Sequence, residues 1–356
     1  MTRRPLNVAV TGLNATDNPG PGVGVIRAIR HAPEFSGRIV GLAYDALEPG
    51  IYARDLVDDA FMIPYPSQGI EALEDRLRHV NETVGLDVII PTLDSELPSF
   101  IALAPMLREL GVATFLPTRD QFDLRSKAHL LELGERADIR VPRSRVLSDP
   151  SQLSELDDEF HGPYVIKGAL YGAKVVRAYD EALFAYHHSI AEWGPPIIAQ
   201  EFIRGEEFDI VAVGDGEGGL IGALPMRKTM LTDKGKGWAG ITVMDPKLLE
   251  MTERFMKSSR WRGPCEVEVM RTEGGEYYLM EINPRFPAWC FLSAGAGINL
   301  PWAVVRLSLG EEVSPMRDYR VGAMFVRITL DQLVELSDFE QITMYGRLSR
   351  ARGDEK

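Results

Sequence analysis

Two short stretches in the last third of the chain decide its fold class and indicate its chemistry. Residues 266–269 read Glu-Val-Glu-Val, and residues 281–285 read Glu-Ile-Asn-Pro-Arg. Polar and apolar side chains alternate in the first stretch, as they do in a β-strand that buries one face. The turn sequence Thr-Glu-Gly-Gly at 272–275 lies between the two stretches. We therefore predict a hairpin, with strands at 266–270 and 277–283.

The predicted hairpin brings oxygen donors together. Glu281 and Asn283 share one strand face, and Glu268 on the paired strand meets them if the strands register as expected. Three such donors beside Arg285 suit a Mg²⁺ ion that holds a polyphosphate, since Mg²⁺ keeps waters and substrate oxygens in its shell. The alternative is a solvated acidic sheet face. We favour the metal site because Asn-Pro-Arg directly after a buried-looking strand is not ordinary surface composition.

Upstream of the hairpin, the first part of the chain alternates predicted strands and helices, which indicates a parallel, doubly wound α/β sheet. A glycine-rich turn follows the first strand, but it lacks a complete G-x-G-x-x-G and is weak evidence for a dinucleotide site. The predicted strands are 6–11, 38–44, 60–63, 87–91 and 112–116, and the helices between them include 70–83 and 99–110.

Beyond residue 117 the pattern changes to two smaller α+β units. The second unit is predicted to hold helices 119–137 and 181–193 and strands 164–167, 174–178 and 197–202. The third is predicted to add strands 207–213 and 219–225 to the hairpin. Residues 347–356 are charged, and we expect a frayed tail.

Composition narrows the classes of partner. The formal net charge of −13 disfavours nucleic acid, because an acidic surface repels a phosphate backbone. No apolar run reaches the roughly 20 residues of a membrane span, and no signal peptide is apparent. We therefore expect a cytoplasmic protein with no nucleic-acid or membrane partner.

The motifs, taken in order, resemble those of the ATP-grasp superfamily, specifically its carbamoyl-phosphate-synthase-like branch. The resemblance covers residues 6–310. It implies an N-terminal parallel-sheet, Rossmann-like pre-ATP-grasp domain at 1–117, followed by two α+β subdomains of an ATP-grasp fold. These are a small subdomain at 118–198 and a C-terminal subdomain with the metal site at 199–310, and residues 311–356 form an extension.

The resemblance also implies roles for individual residues. Two lysines would clamp phosphates, a hinge would contact adenine, and an acidic residue would take the ribose hydroxyls. The implied ATP-binding residues are Lys127, Lys167, Gln200, Glu201, Phe202, Ile203 and Glu207. The implied metal ligands are Glu268, Glu281 and Asn283, and the implied catalytic residue is Arg285.

The positions of three more residues along the chain predict that they lie near the phosphates of ATP. Lys174 follows a loop with fewer glycines than the family usually has, and its charge would compensate for the missing N–H groups. Arg227 or Lys228 ends a strand that should border the triphosphate, and we name Arg227 as a second catalytic residue.

Three residues are expected on the substrate side. Lys236 lies in a glycine- and lysine-rich loop that either closes over an anionic substrate or is an exposed turn. Trp289 is either a wall of the substrate pocket or part of the core. Glu266 needs a positive neighbour, and the alternatives are a protein arginine, such as Arg285 or Arg262, and the ammonium group of an amine substrate.

The function that the resemblance implies is ATP-dependent ligation of a small-molecule carboxylate to an amine through an acyl phosphate, releasing ADP and phosphate. The cofactors would be ATP and Mg²⁺, with Mn²⁺ as an alternative, and a homodimer is left open. A second reading is a bicarbonate-activating enzyme of the carboxylase or carbamoyl-phosphate-synthase kind. A third is a non-catalytic ATP-binding regulator.

Overall fold

The computed structural model of the protein contains three β-sheets joined by helices. It describes residues 4–16, 18–168, 172–232 and 235–349, except for the side chains of residues 127, 128, 157 and 193. Within these ranges, no helix has both the length and the apolar character needed to cross a membrane.

The first sheet is the parallel sheet that the alternating pattern predicts. Its four parallel strands run in the order β3-β2-β1-β4. These strands are β1 (Leu6–Val10), β2 (Gly37–Ala43), β3 (Asp59–Met62) and β4 (Val88–Ile90). The helices that follow them are α1 (Pro21–His31), α2 (Ile70–Val84) and α3 (Leu97–Glu109). The strand predicted at 112–116 is wrong, because only a single bridge joins Ala113 to Val88.

Glycines shape the turn between β1 and α1. Gly12 adopts φ +70°, and a Cβ there would lie 2.1 Å from the Thr92 hydroxyl oxygen. A Cβ on Gly22 would lie 1.9 Å from the Thr11 carbonyl oxygen. Only glycine allows this close approach of backbone, so the turn folds back against the carboxyl ends of the strands.

The second sheet is small and antiparallel, with strand order β5-β8-β6-β7. Its strands are β5 (Ser144–Leu147), β6 (Tyr164–Gly168), β7 (Lys174–Val176) and β8 (Ile197–Glu201). The single helix predicted at 119–137 is instead two, α4 (Arg119–Asp123) and α5 (Lys127–Ala137). The Ser126 hydroxyl caps α5 by accepting the His129 N–H, which starts a new helix at that point. The sheet packs against α7 (Tyr179–Trp193), and α6 (Leu156–Phe160) lies beside it.

The third sheet has six antiparallel strands in the order β13-β12-β9-β10-β11-β14. They are β9 (Gly205–Asp215), β10 (Leu220–Leu231), β11 (Gly237–Thr242), β12 (Arg262–Thr272), β13 (Tyr277–Asn283) and β14 (Met324–Val326). The loop predicted at 233–240 is therefore partly strand, and Asp233 and Lys234 lie outside the described residues. The helices α8 (Pro246–Ser259), α9 (Phe291–Gly295) and α10 (Leu300–Ser308) complete this part.

The tail predicted to fray at 347–356 begins with a strand, and residues 350–356 lie outside the described residues. β14 pairs with β11 in the third sheet, and β15 (Arg347–Ser349) pairs antiparallel with β3 in the first, after α11 (Leu336–Tyr345). Leu348 is buried there, so its apolar side chain holds the strand in place. The division of the chain at 117, 198 and 310 stays a prediction. One of its boundaries, at residue 198, falls within strand β8.

One core joins the first and third sheets. Val8 and Val10 of β1 pack in the same cluster as Val211 of β9 and Leu224 of β10. The opposite face of the third sheet packs against α8 through Phe255 and its neighbours. The shared core fixes the carboxyl ends of the parallel strands beside one face of the antiparallel sheet.

A buried carboxylate organises those carboxyl ends. Glu96 accepts hydrogen bonds from the hydroxyls of Thr11 and Tyr44 and from the N–H groups of Thr92 (2.7 Å) and Leu93 (2.9 Å). Full burial raises the pKa of Glu96 above its usual value, although the Thr11 and Tyr44 hydroxyls and both N–H groups oppose the rise. The network fixes the loops that follow β1 and β4.

We expect Glu96→Gln to change how stability depends on pH. A carboxyl whose pKa is raised by folding favours the folded state below its unfolded pKa, and this contribution is lost as the pH rises through the folded pKa. The free energy of unfolding of the variant, relative to wild type, should therefore increase from pH 4.5 towards pH 8, by about 1.4 kcal/mol for each pKa unit of the shift. Urea unfolding across this range measures it. Glu109→Gln, at the exposed end of α3, is the control, and parallel curves for both variants would contradict the expectation.

Candidate active site

The hairpin β12–β13 has the register that brings the predicted donors together. Glu268 lies opposite Glu281, and Glu266 lies opposite Asn283. Residues directly opposite in an antiparallel pair point to the same face of the sheet. The alternate residues Val267 and Ile282 enter the core on the other face, and their burial fixes this register.

β9 adds a carboxylate that sequence reasoning missed. Asp209 lies opposite Glu268 on the other side of β12 and is buried. Lys228, near the end of β10, is 3.2 Å from Asp209 and 3.3 Å from Glu207. Asp209 stands between buried apolar residues on β9, so the sequence reads as ordinary core strand, and only the pairing reveals its position.

Arg285 is held between two carboxylates from different parts of the chain. Its Nη1 donates to Glu266 at 2.8 Å, and its Nε donates to Asp94, in the loop after β4, at 3.0 Å. Arg125 donates to the other oxygen of Asp94 at 3.2 Å. This chain of ion pairs connects the first sheet to the hairpin of the third.

Glu266 has its positive neighbour within the protein. Besides Arg285, it accepts the Trp289 indole N–H at 2.8 Å and the Asn283 amide at 3.2 Å. Arg262, the other arginine considered, donates to the main-chain oxygens of Thr114 and Leu116 instead. The geometry thus favours the structural role of Glu266 over the binding of an amine.

These side chains line one cavity of about 540 Å³ between the first and third sheets. Its wall from the third sheet contains Asp209, Lys228, Glu266, Glu268, Glu281, Asn283, Arg285 and Trp289, and its opposite wall contains Asn14, Thr16, Gly20 and Asp94. Lys236 also lines it, whereas Lys234 lies outside the described residues. The predicted metal and substrate residues are therefore brought together in one place.

The crowding of carboxylates changes the protonation of the cavity. Burial raises the pKa of Glu268 to about 7, with further contributions from Glu266 and Glu281, although Lys228 opposes the rise. Burial alone would lower the pKa of Lys228, but Asp209 and the neighbouring glutamates outweigh it and raise that pKa. The hairpin therefore concentrates negative charge that an added cation would relieve.

The donor set fits a hard divalent cation. No group of three or more His, Cys, Asp or Glu side chains in the described ranges has the geometry of a metal site by itself. Two carboxylates and one amide oxygen nevertheless suit Mg²⁺, which takes its other ligands from water and phosphate. The Asn283 Nδ2 donates to Glu266 and to Glu268 (2.9 Å), which leaves the amide oxygen as the atom available to a cation.

The predicted nucleotide residues form a separate group in the second sheet. Lys167 is buried, and its Nζ donates to Gln200 at 2.5 Å, while Gln200 donates to Ser144 at 2.9 Å. Neither Lys167 nor Gln200 is among the residues that line the cavity. Glu207 connects to the cavity through Lys228.

The other predicted residues are placed as follows. Glu201 pairs with Arg143 at 3.3 Å, Ile203 is buried and Phe202 is partly exposed. The ammonium of Lys174 lies 4.7 Å from the centre of the Phe184 ring. The side chain of Lys127 lies outside the described residues.

The structure places Arg227 outside the cavity, and its predicted catalytic role stays a prediction. It lies opposite Phe208, which packs in the core on the far face of the sheet, and its Nη1 is 3.6 Å from Glu206. Because side chains alternate along a strand, Lys228 reaches the cavity and Arg227 does not. Asp94 and Arg125 were missed, although Asp94 follows a parallel strand, where ligands commonly bind.

Comparison with known proteins supports the superfamily. A family model described as "ATP-grasp in the biosynthetic pathway with Ter operon" matches residues 194–329. The carbamoyl phosphate synthase large chain of Clostridium botulinum (strain Alaska E43 / Type E3) is 24% identical over 232 residues. That alignment covers 61% of this chain and 21% of the relative, so the chain spans about a fifth of the relative's length.

Solved structures share the fold. A biotin carboxylase from Campylobacter jejuni, in a complex with β,γ-ATP, superimposes with a TM-score of 0.71 at 16% identity, covering 89% of this chain and 74% of the other. An L-amino acid ligase from Bacillus licheniformis gives 0.63 at 17% identity, covering 88% and 78%. These likenesses, at 16% and 17% identity, show a shared fold, and the family match at 194–329 supports the ATP-grasp superfamily.

We expect Glu266→Ala to destabilise the protein strongly. The change leaves Arg285 with the partly exposed Asp94 and removes the acceptor of the Trp289 N–H. Breaking a buried ion pair typically costs about 3–5 kcal/mol. Glu253→Ala, which removes an exposed partner of Arg317, should cost at most about 1 kcal/mol. Urea unfolding of both variants compares them, and similar small losses would show that the Glu266 network does not stabilise the fold.

Proposed function

We propose that the protein is an ATP-dependent carboxylate–amine ligase that uses Mg²⁺. The observation that carries this is the convergence of Glu268, Glu281 and Asn283 in one cavity with Lys228 and Arg285. Hydrolases that use a nucleophilic side chain need a Ser or Cys beside a base, whereas phosphoryl transfer needs positioned charges, which this cavity has.

Each residue has a proposed role in binding and positioning. Glu268, Glu281 and Asn283 would hold Mg²⁺, which when bound neutralises charge on the polyphosphate. Lys167, with Gln200, would contact phosphate oxygens of ATP, and Glu207 would accept from the ribose hydroxyls. Arg285, fixed by Asp94 and Glu266, would present its remaining N–H groups to the oxygens of the transferred phosphoryl group.

The proposed reaction has two steps. A carboxylate oxygen of the acid attacks the γ-phosphorus of ATP, the bond to the β–γ bridging oxygen breaks, and ADP leaves. The nitrogen of the amine then attacks the acyl carbon, phosphate leaves with the bonding electron pair, and the nitrogen loses a proton. Positioning and electrostatics supply most of the rate in such a reaction.

The first test is ADP release with Mg²⁺ in three conditions: pooled carboxylates and amines, bicarbonate, and buffer alone. A ligase releases ADP only with the pools, and mass spectrometry of the product then identifies the acid and the amine. Release with bicarbonate would favour the carboxylase reading. ATP binding without release in any condition would favour a regulator.

We expect Glu281→Gln to reduce Mg²⁺-dependent ADP release by about 100-fold or more, since a positioned charge in such a site contributes about 10²–10³ in rate. The change is nearly isosteric, so the fold should survive. Glu276→Gln is the matched control, because Glu276 adjoins the same hairpin but pairs with Arg140 at the surface. Wild-type rates and normal Mg²⁺ dependence in Glu281→Gln would remove the metal assignment.

We also expect Lys167→Ala to weaken ATP binding by ~1.5–3 kcal/mol, the usual contribution of a hydrogen bond to a charged group. Isothermal titration calorimetry measures this as a 10- to 100-fold increase in Kd, to order of magnitude. Lys247→Ala, an exposed lysine near the Tyr277 ring, should have no effect. Equal ATP affinities of the two variants would exclude Lys167 from the nucleotide site.

A further inference from the structure

A second, more apolar groove opens beside the cavity. It has a volume of about 330 Å³, and its walls include Val23, Phe291, Leu292 and Phe325. Trp289 and Arg327 line both the cavity and the groove. The Trp289 N–H also donates to Glu266, so this residue contacts a cavity carboxylate and lines the groove.

Arg327 stands at the junction with its guanidinium held by main chain. Its guanidinium Nε donates to the Gly237 oxygen at 3.2 Å, and its main-chain N–H donates to the Trp238 oxygen at 3.0 Å. Its Nη2 is buried and has no hydrogen-bond partner within the part of the chain that the structure describes. In those same ranges no ion pair is formed by Arg327, whereas Arg125 and Arg285 share Asp94.

Arg327 is partly exposed, but its Nη2 is buried, and its guanidinium lies 5.4 Å from the centre of the Phe325 ring. A partly desolvated cation without an anion is unfavourable, because it has lost solvation that an ion pair would replace. The same loss of solvation lowers the pKa of Arg327. The planar guanidinium matches a carboxylate with two parallel hydrogen bonds, and its fixed Nε reduces the entropy lost on binding. The arrangement is complementary to an anion that arrives from outside the chain.

We propose that Arg327 and the groove form a substrate subsite for a small carboxylic acid with an apolar side chain. The carboxylate pairs with the Nη groups of Arg327, and the side chain lies against Phe291, Leu292 and Phe325. The inference rests on the proposed ligase function and names its substrate class. A simple carboxylic acid and an amino acid both carry the carboxylate and the apolar side chain that such a subsite would bind.

Calorimetry on the full chain, without ATP, tests the subsite with three probes of similar shape. They are 4-methylpentanoate, L-leucine and L-leucinamide. Binding of either carboxylate at least tenfold more tightly than leucinamide supports the subsite, and the preferred carboxylate shows whether the α-amino group is recognised. Equal affinities for all three probes, or no binding of any, would overturn it.

Variants separate the subsite from a general effect. Arg327→Met should weaken binding of the carboxylates at least tenfold while leaving leucinamide unchanged. Arg317→Met is the control, because Arg317 is exposed and pairs with Glu253 away from the groove. Equal carboxylate affinity in Arg327→Met and wild type would overturn the proposal.

A second variant keeps the test decisive if Arg327→Met does not fold. Met324 is exposed at the groove on the edge strand β14, so Met324→Glu should fold and weaken both carboxylates through repulsion and lost apolar contact. Unchanged carboxylate affinity in this variant would overturn the subsite. Carboxylate binding that depends on Arg327, with no ADP release for any acid and amine, would sustain the subsite and refute the ligase.

Discussion

The ion-pair chain from Arg125 through Asp94 and Arg285 to Glu266 is the interaction on which the site depends. Asp94 follows a strand of the first sheet, and Arg285 follows a strand of the third, so their contact fixes the two walls of the cavity relative to each other. The pairs are largely removed from solvent. A charge in such a place must be compensated, and this requirement holds all four residues in one arrangement.

Two further sets of contacts stabilise the position of these four residues. Below the loops, Glu96 binds main-chain N–H groups and hydroxyls at the ends of β1 and β4, which positions the segment that carries Asp94. Beneath the hairpin, Val267 and Ile282 pack with the core on α8 and prevent a shift of register. A shift by one residue would turn Glu268 and Glu281 away from the cavity. The core shared by the first and third sheets makes both supports parts of one body.

Some of the carboxylates in the cavity are paired with a cationic side chain, and others are not. Glu266 is neutralised by Arg285, and Asp209 by Lys228, whereas Glu268 and Glu281 face each other across the hairpin. The uncompensated charge is therefore negative at the hairpin and positive at Arg327, and both line the cavity. A site with both signs in separate places can take a cation and an anion at once, and this is what a ligase of the proposed kind requires.

The sequence by itself predicted most of the element types and the convergence of Glu268, Glu281 and Asn283, because strand alternation and residue spacing are local properties of the chain. The order of its motifs carried the resemblance to the ATP-grasp superfamily. The sequence also predicted the hairpin, whereas the register that pairs Glu268 with Glu281 is seen in the structure, where Val267 and Ile282 are buried. Only the tertiary structure decided that Lys228, rather than Arg227, reaches the cavity, since the face of β10 depends on its pairing with β9. It alone brought in Asp94, Asp209 and Arg327, and it placed β14 in the third sheet and β15 in the first. Their partners are distant along the chain, and such contacts leave no local pattern from which a single sequence can predict them.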